Sequence, residues 1–264
     1  MKLTALGTWG GYPYQDAGTT SFLLTSESGF NLLIDAGSRA VTELEHELSP
    51  LELDAVIISH YHQDHIADLG VLKQYRQLWP KDDWDQMVLK IYGHDEDKEN
   101  FSSLPLEGVA SGHAYNTSGI EKIGPFDISF IKTVHPVTCY AMRIVERKTN
   151  QVLVFTGDTG YFSELIDFTK DADMFLADVY LFTGQEGHFA HLTSLEAGEI
   201  ARQANVQMLV LTHLPQHAPA HIEEEHHLEI LRDEAQDAAG SIPVQLALPH
   251  MHWNFNDFKV EKND

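Results

Sequence analysis

Three features are scarce in this chain of 264 residues: cysteine, basic side chains and long apolar runs. The single cysteine, Cys139, excludes an intramolecular disulfide and is compatible with a reducing compartment. No run approaches the roughly 18 apolar residues that a membrane-spanning helix needs. The first residues, 1–7, alternate like a strand and lack the apolar core of a signal peptide. We therefore expect a cytoplasmic protein with no membrane partner.

Basic side chains are outnumbered by acidic ones: 17 Lys and Arg face 40 Asp and Glu, for a formal net charge of −23. Such a charge repels polyanions and gains nothing from counterion release, so long nucleic acid is disfavoured as a ligand. Linkers are scarce as well, because no long stretch is rich in Pro, Gly or Ser. With 43% hydrophobic residues to form a core, residues 1–264 are expected to fold as a single domain.

Histidine is plentiful, and three of the 16 histidines fall within six consecutive positions. Residues 60–65 read His-Tyr-His-Gln-Asp-His, directly after a predicted buried strand at 54–59 and before a predicted helix at about 66–78. In α/β proteins, functional side chains converge on the loop at the carboxyl end of a strand. Imidazole and carboxylate are the ligands that zinc and its first-row neighbours accept. The H-x-H-x-D-H pattern therefore predicts a metal site, with a histidine-rich polar loop as the alternative.

The pattern resembles the signature of the metallo-β-lactamase superfamily, in which H-x-H-x-D-H is followed by isolated ligands at strand ends. This chain has matching residues after four other apolar runs, namely Asp35, His135, Asp158 and His213. The motifs occur in the family's order. The resemblance implies an α/β (α+β) fold of the four-layer αββα type, in which two sheets pack face to face between outer helices.

The resemblance also implies two divalent metal ions per chain, with zinc first and manganese, iron or cobalt as alternatives. The implied ligands form two sets of three with one shared member: His60, His62 and His135 in the first set, Asp64, His65 and His213 in the second, and Asp158 in both. In the family, a hydroxide between the two metals attacks an ester. Because Asp64 is an implied ligand of one of these metals, we expect it to be a catalytic group as well. Asp35 is expected to orient a ligand from outside the metal shell, or simply to cap the next helix.

A later motif, His191-Leu192-Thr193, resembles the H-x-T motif of the ribonuclease Z-like branch of the superfamily. Thr193 and Glu196 fit a capping box, which predicts a helix at about 194–204. Asp178 aligns with an acidic residue that holds the motif's histidine in that branch. We expect His191, held by Asp178, to donate a proton to an oxygen of the substrate. A helix-entry histidine bonded to the backbone is the alternative, and His188 competes for the same role.

Ribonuclease Z carries a flexible tRNA-clamping arm between the motifs that His135 and Asp158 match. Here these positions are only 23 residues apart, and the sequence between them reads as two strands. Together with the acidic charge, this favours a small phosphodiester, such as a cyclic nucleotide, as substrate. A dinuclear metal-dependent phosphodiesterase is therefore the leading prediction. The alternatives are a hydrolase of carboxylic esters, lactones, thioesters or sulfate esters, and a metal-bound regulatory protein with little turnover. A homodimer is implied by the resemblance alone.

Several other features bear on the site only weakly. His94 and His113 lack companions at ligand spacing, so they are expected not to bind metal. The tyrosine-containing loop at 10–20 is either a substrate wall or a surface connection. Segment 102–125 is expected to be a turn-rich excursion, and a last strand is predicted at about 255–260. The remaining histidines are expected on exposed loops or carry no assignment: His217, His221, His226, His227, His250 and His252.

Overall fold

The computed structural model describes residues 1–79, 88–220, 222 and 224–257. Its strands are β1 (Lys2–Trp9), β2 (Gly18–Thr19), β3 (Ser21–Thr25), β4 (Asn31–Ile34), β5 (Ala55–Ile57), β6 (Leu89–Gly93), β7 (Ala110–Ala114), β8 (Glu121–Ile123), β9 (Phe126–Lys132), β10 (Tyr140–Glu146), β11 (Val152–Phe155), β12 (Met174–Asp178), β13 (Leu209–Thr212), β14 (Val244–Leu246) and β15 (His252–Asn254). Within the described residues they form two mixed sheets, ordered β15-β1-β3-β4-β5-β6-β7, with β2 beside β1, and β14-β13-β12-β11-β10-β9-β8.

Helices cover the outer face of each sheet. They are α1 (Ala40–Leu44), α2 (Gln63–Ile66), α3 (Leu69–Leu78), α4 (Lys98–Ser102), α5 (Glu164–Thr169), α6 (Ser194–Gln203) and α7 (His227–Ala239), with short 3-10 helices at Pro50–Glu52 and Glu224–His226. No helix in the described ranges has the length and apolar character to cross a membrane.

Three apolar layers hold these elements together. The central layer lies between the sheets, where Phe22 of β3 packs against Phe155 of β11 with ring centroids 6.1 Å apart. A second layer joins the outer face of the first sheet to helices α1 and α3. A third joins the second sheet to α5, α6 and α7. The alternation of inward and outward apolar side chains thus produces the predicted αββα sandwich, and the fold prediction is confirmed.

The prediction that segment 102–125 is a turn-rich excursion is wrong, because this segment contains two edge strands. Strand β7 reads Ala-Ser-Gly-His-Ala and pairs in parallel with β6, whereas β8 has three residues and pairs with β9. Neither strand has the apolar alternation that identifies a strand from sequence, because edge strands are only half buried. The last strand also differs from prediction: β15 pairs with β1, residues 255–257 form a turn, and 258–260 lie outside the described residues.

The topology brings the carboxyl ends of the central parallel strands to one end of the sandwich. In the first sheet β4 and β5 run parallel, and in the second sheet β11, β12 and β13 do. Each of these strands is followed, or ended, by a polar residue of the predicted site. The two sheets therefore present their functional side chains to each other at this end.

Helices α6 and α7 approach closely at Gly198, so a substitution at this position tests how tightly they pack. Gly198→Ala would place a Cβ 2.4 Å from the carbonyl oxygen of Ala235 in α7. Although alanine is the better helix former, we expect this overpacking to lower the free energy of unfolding by about 1–3 kcal/mol. Gly70→Ala in α3 is the matched control, because nothing lies within 4 Å of its added Cβ. Urea denaturation measures both, and a Gly198→Ala variant as stable as wild type would contradict this packing.

Candidate metal centre

The histidine-rich loop passes from strand β5 into the short helix α2. His62 is the residue immediately before α2, and Asp64 and His65 lie within its single turn. His60 and His65 are fully buried, whereas His62 is half-buried. Because the loop is so short, these four side chains remain at the carboxyl end of the sheet, facing the ends of β11 and β13.

The first candidate cluster consists of three histidines and Asp158. His62 Nδ1 lies 3.0 Å from His60 Nε2 and 3.2 Å from His135 Nε2. Asp158 Oδ2 lies 3.6 Å from His60 Nε2 and 3.9 Å from His135 Nε2. One ligand atom from each residue lies within 4.8 Å of the others. Three imidazole nitrogens and a carboxylate oxygen at these separations suit a four-coordinate divalent cation.

The second candidate cluster shares Asp158 and adds Asp64, His65 and His213. Asp158 Oδ1 lies 3.1 Å from His65 Nε2, and its Oδ2 lies 3.3 Å from His213 Nε2. Asp64 Oδ2 lies 3.1 Å from His213 Nε2 and 3.5 Å from His65 Nε2. The buried Asp158 carboxylate therefore faces both clusters.

The residues of both clusters fit divalent metal ions. His65 Nε2 and Asp158 Oδ1 are buried, and although they lie 3.1 Å from each other, neither makes a hydrogen bond of normal geometry in the described part of the chain. Leaving buried polar atoms unpartnered costs free energy. Bound cations would satisfy both atoms and would also separate the imidazole nitrogens that crowd one another around His62.

A chain of hydrogen bonds behind the loop orients two of the histidines. Asp35 is fully buried, and its Oδ2 accepts from His65 Nδ1 at 2.7 Å and from the Ser59 hydroxyl at 2.7 Å. Because the Ser59 hydroxyl donates to Asp35, it accepts from His60 Nδ1 at 3.1 Å. The Nε2 atoms of His60 and His65 are thereby left for the clusters. Such outer partners fix the tautomer and orientation of metal-binding histidines.

Asp178 serves the same purpose in the second sheet, for two imidazoles at once. Its Oδ2 accepts from His191 Nδ1 at 2.9 Å, and its Oδ1 lies 3.3 Å from His213 Nδ1. The backbone N–H of Thr159 also donates to Oδ2 at 3.0 Å. The expected contact with His191 is present, whereas the contact with His213 was not expected from the sequence.

Burial and the carboxylates push the pKa values of the cluster residues in opposite directions. Burial, and then the charge of His65, hold the pKa of His60 well below its usual value. Burial lowers the pKa of His65 too, but Asp158 and Asp35 outweigh it and raise that pKa to about 10. Burial also lowers the pKa of His213, but the charges of Asp158 and Asp178 outweigh it and raise that pKa well above its usual value. Without metal, therefore, an ionised Asp158 lies between protonated His65 and His213.

Sequence reasoning missed the contribution of the loop at 10–20. The backbone N–H of Gly11 donates to Asp64 Oδ2 at 2.7 Å. A Cβ at Gly10 would lie 2.5 Å from the His213 ring, so only glycine fits there without displacing that ring. The aromatic Tyr12 is exposed. The loop thus supports the second cluster through its backbone, a role for which the sequence offers no side-chain signal.

Most other histidines of the described chain lie outside the two clusters that share Asp158, and one cluster member, His135, is held by a backbone carbonyl. His135 Nδ1 donates to the carbonyl oxygen of Ala190 at 3.1 Å, whereas the neighbouring His188 stacks on His191 with ring centroids 6.0 Å apart. His94 and His113 belong to no candidate metal cluster of the described chain. Neither do His217, His226, His227, His250 and His252. His221 lies outside the described residues.

The fold and these clusters define the class of protein. Residues 15–213 match the metallo-beta-lactamase superfamily, and the chain belongs to it. The probable metallo-hydrolase YhfI of Bacillus subtilis is 42% identical over 216 residues, which cover 81% of this chain and 87% of that protein. The crystal structure of YhfI superposes with a TM-score of 0.87 at 38% identity, covering 96% of this chain and 99% of that one.

More distant relatives support the ribonuclease Z-like branch. Ribonuclease Z of Metallosphaera sedula is 23% identical over 267 residues, covering 81% of this chain and 88% of that protein. The short form of human tRNase Z has the same fold, with a TM-score of 0.72 and 19% identity over 97% of this chain and 99% of that one. The protein is accordingly a metal-dependent hydrolase of this superfamily, whose fold implies divalent metal ions.

Asp35→Asn tests the hydrogen-bond chain behind the loop. The carboxylate accepts at both oxygens, since Oδ1 accepts from the Ser59 backbone N–H at 2.7 Å while Oδ2 accepts from His65 Nδ1. An amide has one acceptor oxygen, so one of these two donors loses its partner and the orientation of His65 is no longer fixed. We expect affinity for a divalent metal to fall about 10- to 100-fold, as is typical when such an outer partner is removed. Competition against a chromogenic chelator measures it, and Asp16→Asn on the exposed loop is the matched control. Equal affinity of Asp35→Asn and wild type would contradict this role.

Metal uptake is expected to release protons and to strengthen as pH rises. With a pKa of about 10, His65 carries a proton at pH 7 that a metal at Nε2 must displace. Because folding raises this pKa, protonated His65 stabilises the metal-free protein. This stabilisation is complete below pH 6.5, the usual pKa of histidine, and is lost as pH rises towards 10. Calorimetry in two buffers of different ionisation enthalpy counts the protons, and uptake at pH 7 without proton release would contradict this assignment.

Proposed function

We propose that this protein is a phosphodiesterase that uses two divalent metal ions to hydrolyse a small, nucleotide-like phosphodiester. The metals would be held by the two clusters described above, with zinc as the first candidate and Asp158 bridging them. Two bound ions would supply Lewis-acid stabilisation of the developing charge and activate a water as nucleophile. The chain's own residues must then orient the ester and protonate its leaving oxygen.

The observation that carries the proposal is the position of His191. It belongs to neither ligand set that shares Asp158, yet its ring stacks on His213 with centroids 5.1 Å apart and lies 5.7 Å from the His135 ring. Because His191 Nδ1 donates to Asp178, Nε2 is the nitrogen available to a substrate at the centre, and Nε2 is a proton donor in the imidazolium form of the ring. A donor fixed beside the metals suits an alkoxide leaving group, which departs poorly unless it receives a proton.

Charge and topology favour a small substrate over a long nucleic acid. The net charge of −23 opposes binding of a polyanion. Between His135 and Asp158 the chain forms the antiparallel pair of strands β10 and β11, joined by a short turn, where ribonuclease Z has its arm. The relatives named ribonuclease Z act on RNA by their name, which supports phosphodiester chemistry for this chain without the same substrate.

His191→Ala tests the proton donor through the dependence on the leaving group. p-Nitrophenolate leaves readily without a proton, so the variant should retain most turnover of bis(p-nitrophenyl) phosphate. On a nucleoside cyclic phosphate, whose leaving group is an alkoxide, we expect kcat to fall about 100-fold or more. Metal content should be unchanged, and His46→Ala on the exposed surface is the control.

Equal losses on both substrates, or none, would remove His191 from the proton-donor role. Turnover limited to a chromogenic carboxylic ester or lactone would instead favour the second class of hydrolase. Metal-loaded protein that turns over no member of this panel would favour a binding role.

A further inference from the structure

A cavity of about 630 Å³ lies directly beside the first metal cluster. Segment 94–100 forms one wall, residues 137–138 another, and Tyr61 and His62 the side nearest the metals. The volume falls within the roughly 300–1,000 Å³ of small-molecule sites. Because His62 belongs both to the cavity lining and to the first cluster, a substrate whose phosphate lies at the metals can extend one ester arm into the cavity.

His94 is the unexplained residue of this cavity. Its exposure is 2%, and neither ring nitrogen has a hydrogen-bond partner of normal geometry among the described residues, although the Thr138 backbone is close. Burial lowers its pKa, so at neutral pH the ring is uncharged and offers one donor and one acceptor. Buried polar groups are normally satisfied, so a ligand atom is the expected partner.

The remaining walls are aromatic and acidic. The Tyr61 ring lies 4.7 Å from that of His94, and the Tyr61 hydroxyl donates to the His94 carbonyl oxygen at 2.7 Å. The charged lining residues are Glu96, which pairs with Lys132 at 2.7 Å, Asp97, which caps helix α4, and Lys98, which pairs with Asp95 at 2.6 Å. Because Lys98 is already paired and the carboxylates outnumber it, these walls disfavour a second phosphate, whereas aromatic rings suit a flat uncharged group.

We propose that this cavity binds the uncharged heteroaromatic arm of the substrate, such as the base of a nucleoside ester, and that His94 is a specificity-determining residue that hydrogen-bonds to it. The inference deepens the proposed function and rests on it. His94 would discriminate among phosphodiesters by their ester arm, while the metal clusters and His191 act on the phosphate that all of them share.

The contribution of the ester arm is measured with two substrates that share the p-nitrophenolate leaving group and differ only in the other ester group. They are thymidine 5′-(p-nitrophenyl phosphate) and methyl p-nitrophenyl phosphate. We expect wild type to prefer the thymidine ester in kcat/KM by about tenfold or more. His94→Phe keeps the ring volume and removes both nitrogens. It should reduce that preference about tenfold through KM, while turnover of the methyl ester stays within about twofold. A preference unchanged in His94→Phe would overturn the role of His94.

A second variant guards against a fold defect at the buried position. Val137 lines the cavity and is 41% exposed, so Val137→Glu should add a charge without disturbing the core, and should selectively raise KM for the thymidine ester. Val71→Glu, at a valine that is 51% exposed on α3, is the matched control and should leave both substrates unchanged. Equal KM values in Val137→Glu and wild type would place the arm elsewhere.

A measurement of thymidine binding tests the cavity independently of the proposed catalytic function. If neither ester is hydrolysed, the proposed function fails, but thymidine binding to the metal-loaded protein can still be titrated by calorimetry. Saturable binding that is lost in His94→Phe supports the cavity as a nucleoside site. No binding by wild type at millimolar thymidine overturns it.

Discussion

The structure depends on one buried carboxylate. Asp158 is 1% exposed, and nitrogens of four histidines lie within 3.9 Å of its oxygens: His60, His65, His135 and His213. A buried carboxylate is tolerated only when it is paired or bound to metal. His60 lies in the loop after β5 of the first sheet, His65 lies in the following helix α2, and His213 follows β13 of the second sheet. The ionic centre therefore lies where the two sheets meet.

Matching features support the centre from each sheet. Asp35, after β4, and His213, after β13, both have a positive φ of 54°, a left-handed conformation that is unfavourable for residues with a side chain. Such strain persists where surrounding contacts hold it. Asp35 is held by its bonds to Ser59 and His65, and His213 by Asp64 and Asp178. The strand ends are thus shaped by the site as well as by the sheets.

The resemblance of the H-x-H-x-D-H motif and of the later Asp and His residues implies the αββα layers and the two ligand sets, and the structure brings those side chains together. Among the outer partners, Asp35 and Asp178 are expected from the resemblance, whereas Ser59 and the Ala190 carbonyl have no distinctive motif and are not predicted. The sharing of Asp178 between His191 and His213 depends on the pairing of β12 with β13, which a single sequence does not reveal. Strands β7 and β8 escaped prediction because edge strands need little apolar pattern. The cavity around His94 arises from segments distant in sequence.

We propose a hydrolase in which the two clusters would hold divalent metal ions beside the phosphate, His191 would protonate the leaving oxygen and the neighbouring cavity would select the ester arm. This proposal requires two metal ions that share Asp158. The most direct test is a crystal structure of the metal-loaded protein with anomalous data collected at the absorption edge of the bound metal. We expect two anomalous peaks per chain, about 3.5–4 Å apart, with the Asp158 carboxylate in contact with both. A single peak, or two peaks with Asp158 bound to neither, would contradict this proposal.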